Sequence, residues 1–259
     1  MTSTQLNVQT CGHGFPLVLL HGWGLHSEVW QPWAEFLAKH YQLIMIDLPG
    51  HGLSRMSPWS FSLNDLSVVL SHYLPAPCHV LGWSLGGLCA LKLAHDHPHS
   101  VKKLILMATN PQFIQDNTWL HGMNPSDLQS FGLQLQQNYA KTIQRFLSLQ
   151  CLGNIALKTQ MTRLKTHFAQ GVPPQDWALQ AGLDILSQTN ARPWLSNIQQ
   201  PSLLIYGAQD RLVPPSAGEY AAQHIPQAEL HCLKTAAHAP FLSHGMQVSR
   251  LIDDFLKKN

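Results

Sequence analysis

Residues 78–88 read CHVLGWSLGGL, and this stretch decides the fold of the chain. The apolar run at residues 78–82 predicts a buried β-strand, and the apolar residues after Gly87 recur with helical spacing. Between them lies the pattern Gly-x-Ser-x-Gly, which places Ser84 on a sharp turn from strand to helix. Such a turn strains the backbone, and the positions two before and two after the serine must be glycine-sized to avoid collision. This context favours a nucleophilic Ser84 over a glycine-rich loop with a chance serine.

The rest of the chain repeats this alternation of strand and helix. The apolar runs are continuous, which is typical of parallel strands covered on both faces. They are found at residues 16–20, 43–46, 78–82, 104–107, 202–206 and 229–233. Helical patterns between them include one that opens with a capping box, Ser62 followed by Asp65, and one that closes the chain at about residues 248–256. The sequence therefore predicts an α/β fold with a mostly parallel central sheet flanked by helices.

One long segment departs from this alternation. Residues 111–192 contain no strand-like run, are rich in Gln and Leu, and carry helical apolar spacing, for example at residues 127–137 and 141–149. A helical block inside a strand–helix alternation is best explained as an insertion over one end of the sheet. We therefore expect an α/β core formed by residues 1–110 and 193–259, with an all-helical lid at residues 111–192.

Composition limits the functions that the chain can have. Of 259 residues, 45% are hydrophobic and 12% charged, which is the reverse of a disordered composition. A formal net charge of +2 gives no case for nucleic-acid binding. The first ten residues lack the pattern of a signal peptide, no apolar stretch is long enough to span a membrane, and the five cysteines show no CxxC spacing. We expect a cytoplasmic protein with reduced thiols, and nothing in the sequence suggests an obligate dimer, so a monomer is expected.

A serine hydroxyl needs a base to take its proton as it attacks. Asp210 follows the apolar run at residues 202–206, and His238 follows the run at residues 229–233, so both side chains are expected at the edge of the sheet where Ser84 lies. The chain has sixteen histidines, and surface or core roles are the simpler explanation for most of them. The competitors considered for the base are His95, His97, His99, His224, His231 and His244. We select Ser84, His238 and Asp210 as nucleophile, base and orienting acid.

Acyl transfer also needs hydrogen-bond donors for the negative charge that develops on the carbonyl oxygen. The backbone N–H of Leu85, directly after the nucleophile, can supply one. The second is expected from the loop HGWG at residues 21–24, through the N–H of Trp23, whose indole remains available to line the pocket. The histidines show no metal-ligand spacing. We therefore expect neither a metal nor a cofactor.

Taken together, several motifs identify a family resemblance that extends over essentially the whole chain. The stretches HGWG (21–24), DLPGHGLS (47–54), GWSLGG (82–87), YGAQDRLVP (206–214) and AAHAPFLSH (236–244) resemble the α/β-hydrolase superfamily. More narrowly, HGWGLHSEVW (21–30), RFLSLQ (145–150) and GLDIL (182–186) are similar to the pimeloyl-acyl-carrier-protein methyl ester esterases of biotin biosynthesis. The narrower resemblance implies hydrolysis of a methyl ester carried on acyl-carrier protein, which releases methanol and the free carboxylate.

The resemblance also implies further site residues. Trp23 and Leu85 bind the oxyanion, and with His238 they contact the substrate. A lid segment lines the acyl channel, and it corresponds here to Phe146, Leu147, Ser148, Leu149 and Gln150. Phe146 and Gln150 are four residues apart and would share one helical face. The alternative is that the apolar members of this segment are ordinary core residues of the lid.

The charge of the lid offers a surface for an acidic partner. Between Leu128 and Gln175 there is no Asp or Glu. The same stretch contains five basic residues: Lys141, Arg145, Lys158, Arg163 and Lys165. The family resemblance implies that basic residues of the lid helices contact the carrier protein, whereas a solvated helix face would explain the same bias without a partner.

Other functions on the same fold stay open from the sequence. One is a broad-specificity short-chain carboxylesterase, an acyltransferase or a cofactor-free haloperoxidase-like enzyme that acts on small esters. Another is a ligand-binding receptor that has kept the scaffold without the catalysis. Ser rather than Asp at position 84 argues against dehalogenases and epoxide hydrolases, which attack with a carboxylate.

Overall fold

The computed structural model describes residues 5–56, 62–149 and 158–258. They contain a seven-stranded sheet in the order β1-β3-β2-β4-β5-β6-β7, in which only β1 is antiparallel to its neighbour. The strands are β1 (Val8–Cys11), β2 (Phe15–Leu20), β3 (Tyr41–Ile46), β4 (Cys78–Trp83), β5 (Val101–Met107), β6 (Ser202–Gly207) and β7 (Ala228–Leu233). The six apolar runs are all strands, and the fold class predicted from the sequence is confirmed.

Helices cover this sheet. They are α1 (Gln31–Leu37), α2 (Leu63–Ser71), α3 (Leu85–Asp96), α4 (Pro125–Gln137), α5 (Tyr139–Leu149), α6 (Lys158–Gln170), α7 (Asp176–Gln188), α8 (Pro215–His224), α9 (Pro240–Ser243) and α10 (Gly245–Lys257). Short 3-10 helices lie at Ser27–Trp30 and Arg192–Asn197. The capping box of α2 is present as expected, since Ser62 Oγ accepts from the Asp65 N–H and the Asp65 carboxylate accepts from the Ser62 N–H.

The burial of each strand depends on its place in the sheet. Every residue of β4 and β6 is buried, as is the second half of β2, because helices pack on both faces of these central strands. Edge strand β1 alternates between exposed and half-buried residues instead. Four cysteines, Cys11, Cys78, Cys89 and Cys232, are free, and Cys151 lies outside the described residues.

The segment at residues 111–192 is helical only from Pro125 onward. Residues 111–124 form turns and two isolated bridges, Ile114 with Met123 and Asp116 with Trp119, so the expectation of a wholly helical segment is wrong for this stretch. Hydrogen bonds explain the difference: Asp116 accepts from the N–H and the hydroxyl of Thr118, and the Trp119 indole donates to the Gln112 carbonyl. These local bonds satisfy backbone and side-chain groups that a helix would have used.

Within the described residues, no helix is both long enough and apolar enough to cross a bilayer.

Candidate active site

Ser84 occupies the turn between β4 and α3 with φ 56° and ψ −118°. A positive φ is costly for a residue with a side chain, and it persists only where the surroundings enforce it. Two glycines allow this turn. A Cβ on Gly82 would collide with the Gly86 carbonyl, and one on Gly86 would collide with the Leu20 carbonyl of the neighbouring strand. The Gly-x-Ser-x-Gly pattern is therefore required by the close approach of backbone to backbone.

Three hydrogen bonds hold the turn in place. The Ser84 N–H donates to the Met107 carbonyl at 3.0 Å, and the Thr109 hydroxyl donates to the Ser84 carbonyl at 2.7 Å. The Tyr206 hydroxyl in turn donates to the Thr109 carbonyl at 2.5 Å. Ser84 is thus anchored through β5 to β6, the strand that Asp210 follows.

The structure brings Ser84, His238 and Asp210 together as one hydrogen-bonded chain. His238 Nε2 lies 3.0 Å from Ser84 Oγ, and His238 Nδ1 lies 2.7 Å from Asp210 Oδ2. The other carboxylate oxygen of Asp210 accepts from the N–H groups of Leu212 and Val213, which fixes its orientation. Because a carboxylate can only accept, Nδ1 carries the proton, and Nε2 is left to accept the proton of Ser84. All three residues are buried.

Trp83, directly before Ser84, also fixes the position of His238. Its indole N–H donates to the backbone carbonyl of His238 at 2.7 Å, and the two rings lie 5.6 Å apart. The Trp83 ring packs further against Phe241 and Phe146. Sequence reasoning did not assign Trp83 a role, because its partner is 155 residues away along the chain.

The loop after β2 runs past Ser84. A Cβ on Gly22 would lie 3.3 Å from the Cβ of Ser84, which places the loop and the serine in contact distance. Within the described part of the chain, neither the Trp23 N–H nor the Leu85 N–H donates to a backbone carbonyl. The assignment of these two N–H groups to an oxyanion formed at Ser84 stays a prediction.

His21 orients this loop, and sequence reasoning did not single it out. Its Nδ1 donates to the Gly22 carbonyl at 2.9 Å, while its Nε2 accepts from the Leu48 N–H at 2.9 Å. The Gly22 carbonyl belongs to the same peptide unit as the Trp23 N–H, so this bond fixes the direction of that N–H. Burial is the main cause that lowers the pKa of His21 to about 3, which keeps the imidazole neutral. The feature of the sequence that could have identified His21 is the His-Gly pair at residues 21–22, directly after β2.

Trp23 joins the loop to the helices above the sheet. Its indole N–H donates to the Leu179 carbonyl on α7 at 3.0 Å, and its ring meets that of Phe131 on α4 at 5.7 Å. A Cβ on Gly182 would collide with the indole, so glycine at this position lets α7 approach. The indole of Trp23 thus has its own partner on α7, and the main-chain N–H of the same residue takes no part in that bond.

Two neighbouring cavities share His238 in their walls, and the inner one also contains Ser84. The inner cavity, about 490 Å³ including its open side, is lined mostly by apolar side chains, among them Met123 and Leu186. The outer groove, about 950 Å³ including its open side, passes between α4, α5 and the loop after β6. Phe131, Phe146, Leu212 and His238 border both. This arrangement can hold an acyl chain against apolar walls while its end reaches solvent.

The lid residues expected at the substrate divide into two groups. Phe146 borders both cavities and Leu149 borders the outer groove. Leu147 is fully buried, and the Ser148 hydroxyl donates to the Gln144 carbonyl of its own helix; neither lines a cavity. Helical spacing explains this, because residues three or four apart share a face whereas adjacent residues do not. Gln150 lies outside the described residues.

The expected docking residues lie on two helices that pack together, α5 and α6. Lys141, Arg145 and Arg163 are exposed and Lys165 is half-buried. Lys158 begins α6, and its side chain lies outside the described part. These four described cations form no ion pair with any described residue.

The competing histidines lie elsewhere. His244 contacts Thr235 and Ser243, His224 stacks on Tyr220, and His95 contacts Asp96. His97 ends α3, His99 is exposed nearby, and His231 lies in β7. Across the described ranges, no group of three or more His, Cys, Asp or Glu side chains could hold a metal ion.

Comparison with known proteins places this geometry in a family. The model of the alpha/beta hydrolase fold matches residues 16–245. A protein of Nitrosomonas europaea named pimeloyl-[acyl-carrier protein] methyl ester esterase is 39% identical over 248 residues, which cover 96% of this chain and 98% of that protein. A protein of the same name from Chromobacterium violaceum is 38% identical over 252 residues, covering 97% and 98%.

Solved structures give the same fold at lower identity. A bromoperoxidase from Bacillus anthracis aligns with a TM-score of 0.88 at 20% identity, covering 98% of this chain and 95% of that one. An esterase from Exiguobacterium antarcticum aligns with a TM-score of 0.84 at 21% identity, covering 98% and 96%. Their different chemistries show that the fold alone does not determine the reaction.

Proposed function

The chain belongs to the α/β-hydrolase family, and within it to the pimeloyl-[acyl-carrier protein] methyl ester esterases, and from this premise we propose how it works. Ser84 is the nucleophile of a carboxylesterase that hydrolyses the methyl ester of pimeloyl-[acyl-carrier protein]. The single observation that carries the proposal is the hydrogen-bonded chain from Ser84 through His238 to Asp210 at the junction of the two cavities.

The first half of the reaction forms an acyl-enzyme. Ser84 Oγ attacks the ester carbonyl while His238 Nε2 takes its proton, and Asp210 stabilises the imidazolium through Nδ1. The N–H groups of Trp23 and Leu85 bind the oxyanion of the tetrahedral intermediate, and each such donor contributes about 2.7–4 kcal/mol. His238 then protonates the methoxide, the C–O bond breaks, and methanol leaves.

The second half releases the acid. His238 Nε2 takes a proton from water as the water attacks the acyl-enzyme, and a second tetrahedral intermediate forms at the same donors. Its collapse returns the proton to Ser84 Oγ and releases the pimeloyl carboxylate, still linked at its other end to the carrier. Because the chain must join Ser84 to a protein outside, the outer groove is its path to solvent.

The partner belongs to the same proposal. Carrier proteins of this kind are acidic, and we assign their binding to the basic residues Lys141, Arg145, Lys158, Arg163 and Lys165. Support comes from Arg145, which borders the groove, and from the exposed Lys141 and Arg163. We place residues 111–192 as the lid that carries these basic residues, and we assign the enzyme to the cytoplasm as a monomer.

The test is methanol release from synthetic pimeloyl methyl ester on acyl-carrier protein. The wild-type protein should release one methanol per carrier and react with a fluorophosphonate at Ser84, found by peptide mass spectrometry. Ser84→Ala should abolish both while the circular dichroism spectrum stays that of the wild type. Unchanged turnover in Ser84→Ala would rule out the nucleophile, and turnover of small esters without turnover of the carrier substrate would favour a broad-specificity esterase.

A further inference from the structure

The outer groove carries two arginines from separate elements. Arg145 extends from α5, and Arg211 extends from the loop after β6; both side chains are exposed and both border the groove that ends at His238. Arg211 was not among the residues expected to bind substrate or carrier. The function proposed above leaves its position unexplained.

Each arginine is adjacent in the sequence to a residue that belongs to the hydrogen-bonded chain of Ser84, His238 and Asp210 or contacts it. Arg211 follows Asp210, whose carboxylate accepts from the N–H groups at positions 212 and 213, so the turn that carries Arg211 is fixed. Arg145 precedes Phe146, whose ring lies 6.1 Å from that of His238. Since neighbouring Cα atoms are about 3.8 Å apart, both arginines begin close to the reacting groups.

The charge of these arginines is not balanced within the protein. Neither guanidinium forms an ion pair with any residue of the described ranges. The groove contains two carboxylates, Asp127 and Asp210; Asp127 pairs with neither arginine, and Asp210 is occupied by His238 and the turn. Residues 57–61 and 150–157 contain no Asp or Glu that could serve. A pair of unbalanced guanidinium groups favours a planar anion such as a carboxylate.

We propose that Arg145 and Arg211 bind the free carboxylate of half-esters of linear dicarboxylic acids, which this enzyme hydrolyses in addition to the carrier-bound substrate. The ester carbonyl lies at Ser84, the methylenes lie against Phe131 and Phe146, and the distal carboxylate reaches the arginines. Water cleaves the ester to methanol and the dicarboxylic acid, and the distal carboxylate is unchanged. This proposal rests on the esterase chemistry proposed for Ser84 and adds a substrate class and Arg211 as a specificity residue.

The experiment compares monomethyl pimelate, which carries the charge, with neutral dimethyl pimelate. The measured quantity is the ratio of kcat/KM for the half-ester to that for the diester. Arg211→Gln should lower this ratio about fivefold, Arg211→Lys should lower it less, and Arg145→Gln/Arg211→Gln should lower it further. Arg250→Gln, the same charge change at an exposed position on α10, is the matched control and should leave the ratio as in the wild type.

A second measurement needs no variant. Raising ionic strength should raise the KM of the wild-type enzyme for the half-ester more than that for the diester, because salt screens the exposed arginines. An unchanged ratio in Arg211→Gln, an equal fall in Arg250→Gln, or identical salt dependence for both esters would overturn the proposal. None of these results depends on the carrier, so a failure of the carrier-bound substrate to react would count against the proposed function alone.

Discussion

The indole N–H of Trp83 and the backbone carbonyl of His238 are joined by a 2.7 Å hydrogen bond inside the protein. The residue that precedes Ser84 thereby fixes the main chain of His238. The distance between Ser84 Oγ and His238 Nε2 therefore depends on a bond that neither side chain makes.

Replacing Trp83 by Phe should break this bond while most of the packing is kept. The buried His238 carbonyl would lose its partner, at a cost of about 1–3 kcal/mol in unfolding free energy, and we expect kcat to fall about tenfold as the histidine shifts. Trp30→Phe is the matched control, because that indole is buried nearby and its N–H has no partner among the described residues. Urea unfolding and p-nitrophenyl acetate hydrolysis measure the two effects. Equal losses in both variants would refute a specific role for the bond.

The close packing of the turn at Ser84 predicts that adding a single methyl group at Gly86 strongly destabilises the fold. In Gly86→Ala the new Cβ would meet the Leu20 carbonyl, which is held in the sheet and cannot move away. We expect a loss of at least about 3 kcal/mol in unfolding free energy, or failure to fold, with no measurable esterase activity in any folded fraction. Gly245→Ala should cost less, since the close neighbour of its new Cβ is a side-chain atom, Cδ1 of Trp33 at 3.2 Å, and not a backbone carbonyl. A wild-type melting temperature for Gly86→Ala would contradict the packing argument.

Acid should destabilise the fold through buried histidines. Burial is the main cause that lowers the pKa of His21 to about 3 and that of His51 to about 4, from an ordinary value of 6.5. The unfolded chain therefore binds protons that the folded chain does not, so stability is complete above pH 6.5 and is lost as the pH falls toward 4. At pH 5 the loss is about 2 kcal/mol for each histidine.

Urea unfolding at pH 7.5 and pH 5 checks this expectation. His51→Gln should lose less stability on acidification than the wild type, although it starts from a lower value. His99→Gln, an exchange of an exposed histidine, should lose as much as the wild type. A free energy of unfolding that does not change between the two pH values would be inconsistent with neutral buried imidazoles.

The basic face of the lid should act on carrier-bound substrate selectively. Lys141→Glu/Arg163→Glu should lower kcat/KM for the carrier-bound ester about tenfold relative to that for dimethyl pimelate, and added salt should reduce the difference. Lys39→Glu/Arg250→Glu makes the same change of net charge on other exposed positions. If the control pair lowers the same ratio equally, long-range charge rather than docking at α5 and α6 accounts for the effect.

The strands and the nucleophile turn could be predicted because their signals are local. Six apolar runs correspond to six parallel strands, and the steric reason for Gly82 lies within five residues, at the Gly86 carbonyl, whereas that for Gly86 is Leu20 of the neighbouring strand. The Asp210 and His238 positions could be proposed because each follows such a run. Strand β1 was missed, since four residues with half-exposed side chains at a sheet edge carry little apolar signal.

Most of the features that could not be predicted from the sequence depend on contacts between residues far apart in the chain. The partners of Trp83 and Trp23 lie more than 150 residues away in the chain, and no pattern specifies an indole's hydrogen-bond partner at that separation. The turns at residues 111–124 cannot be distinguished from helix in the sequence, because their side-chain hydrogen bonds leave no periodic pattern of apolar residues. The role of Arg211 appeared only once the groove placed it beside α5.

The two attachments of Trp23 matter for protein engineering. Its amide is oriented by the strand layer, whereas its indole is bonded to Leu179 on α7. Replacing the lid by that of another hydrolase would therefore disturb the position of Trp23, whose N–H is expected to bind the oxyanion, as well as substrate specificity. Chimaeras should work only when the donor supplies a carbonyl at the place of Leu179 and a glycine at the place of Gly182.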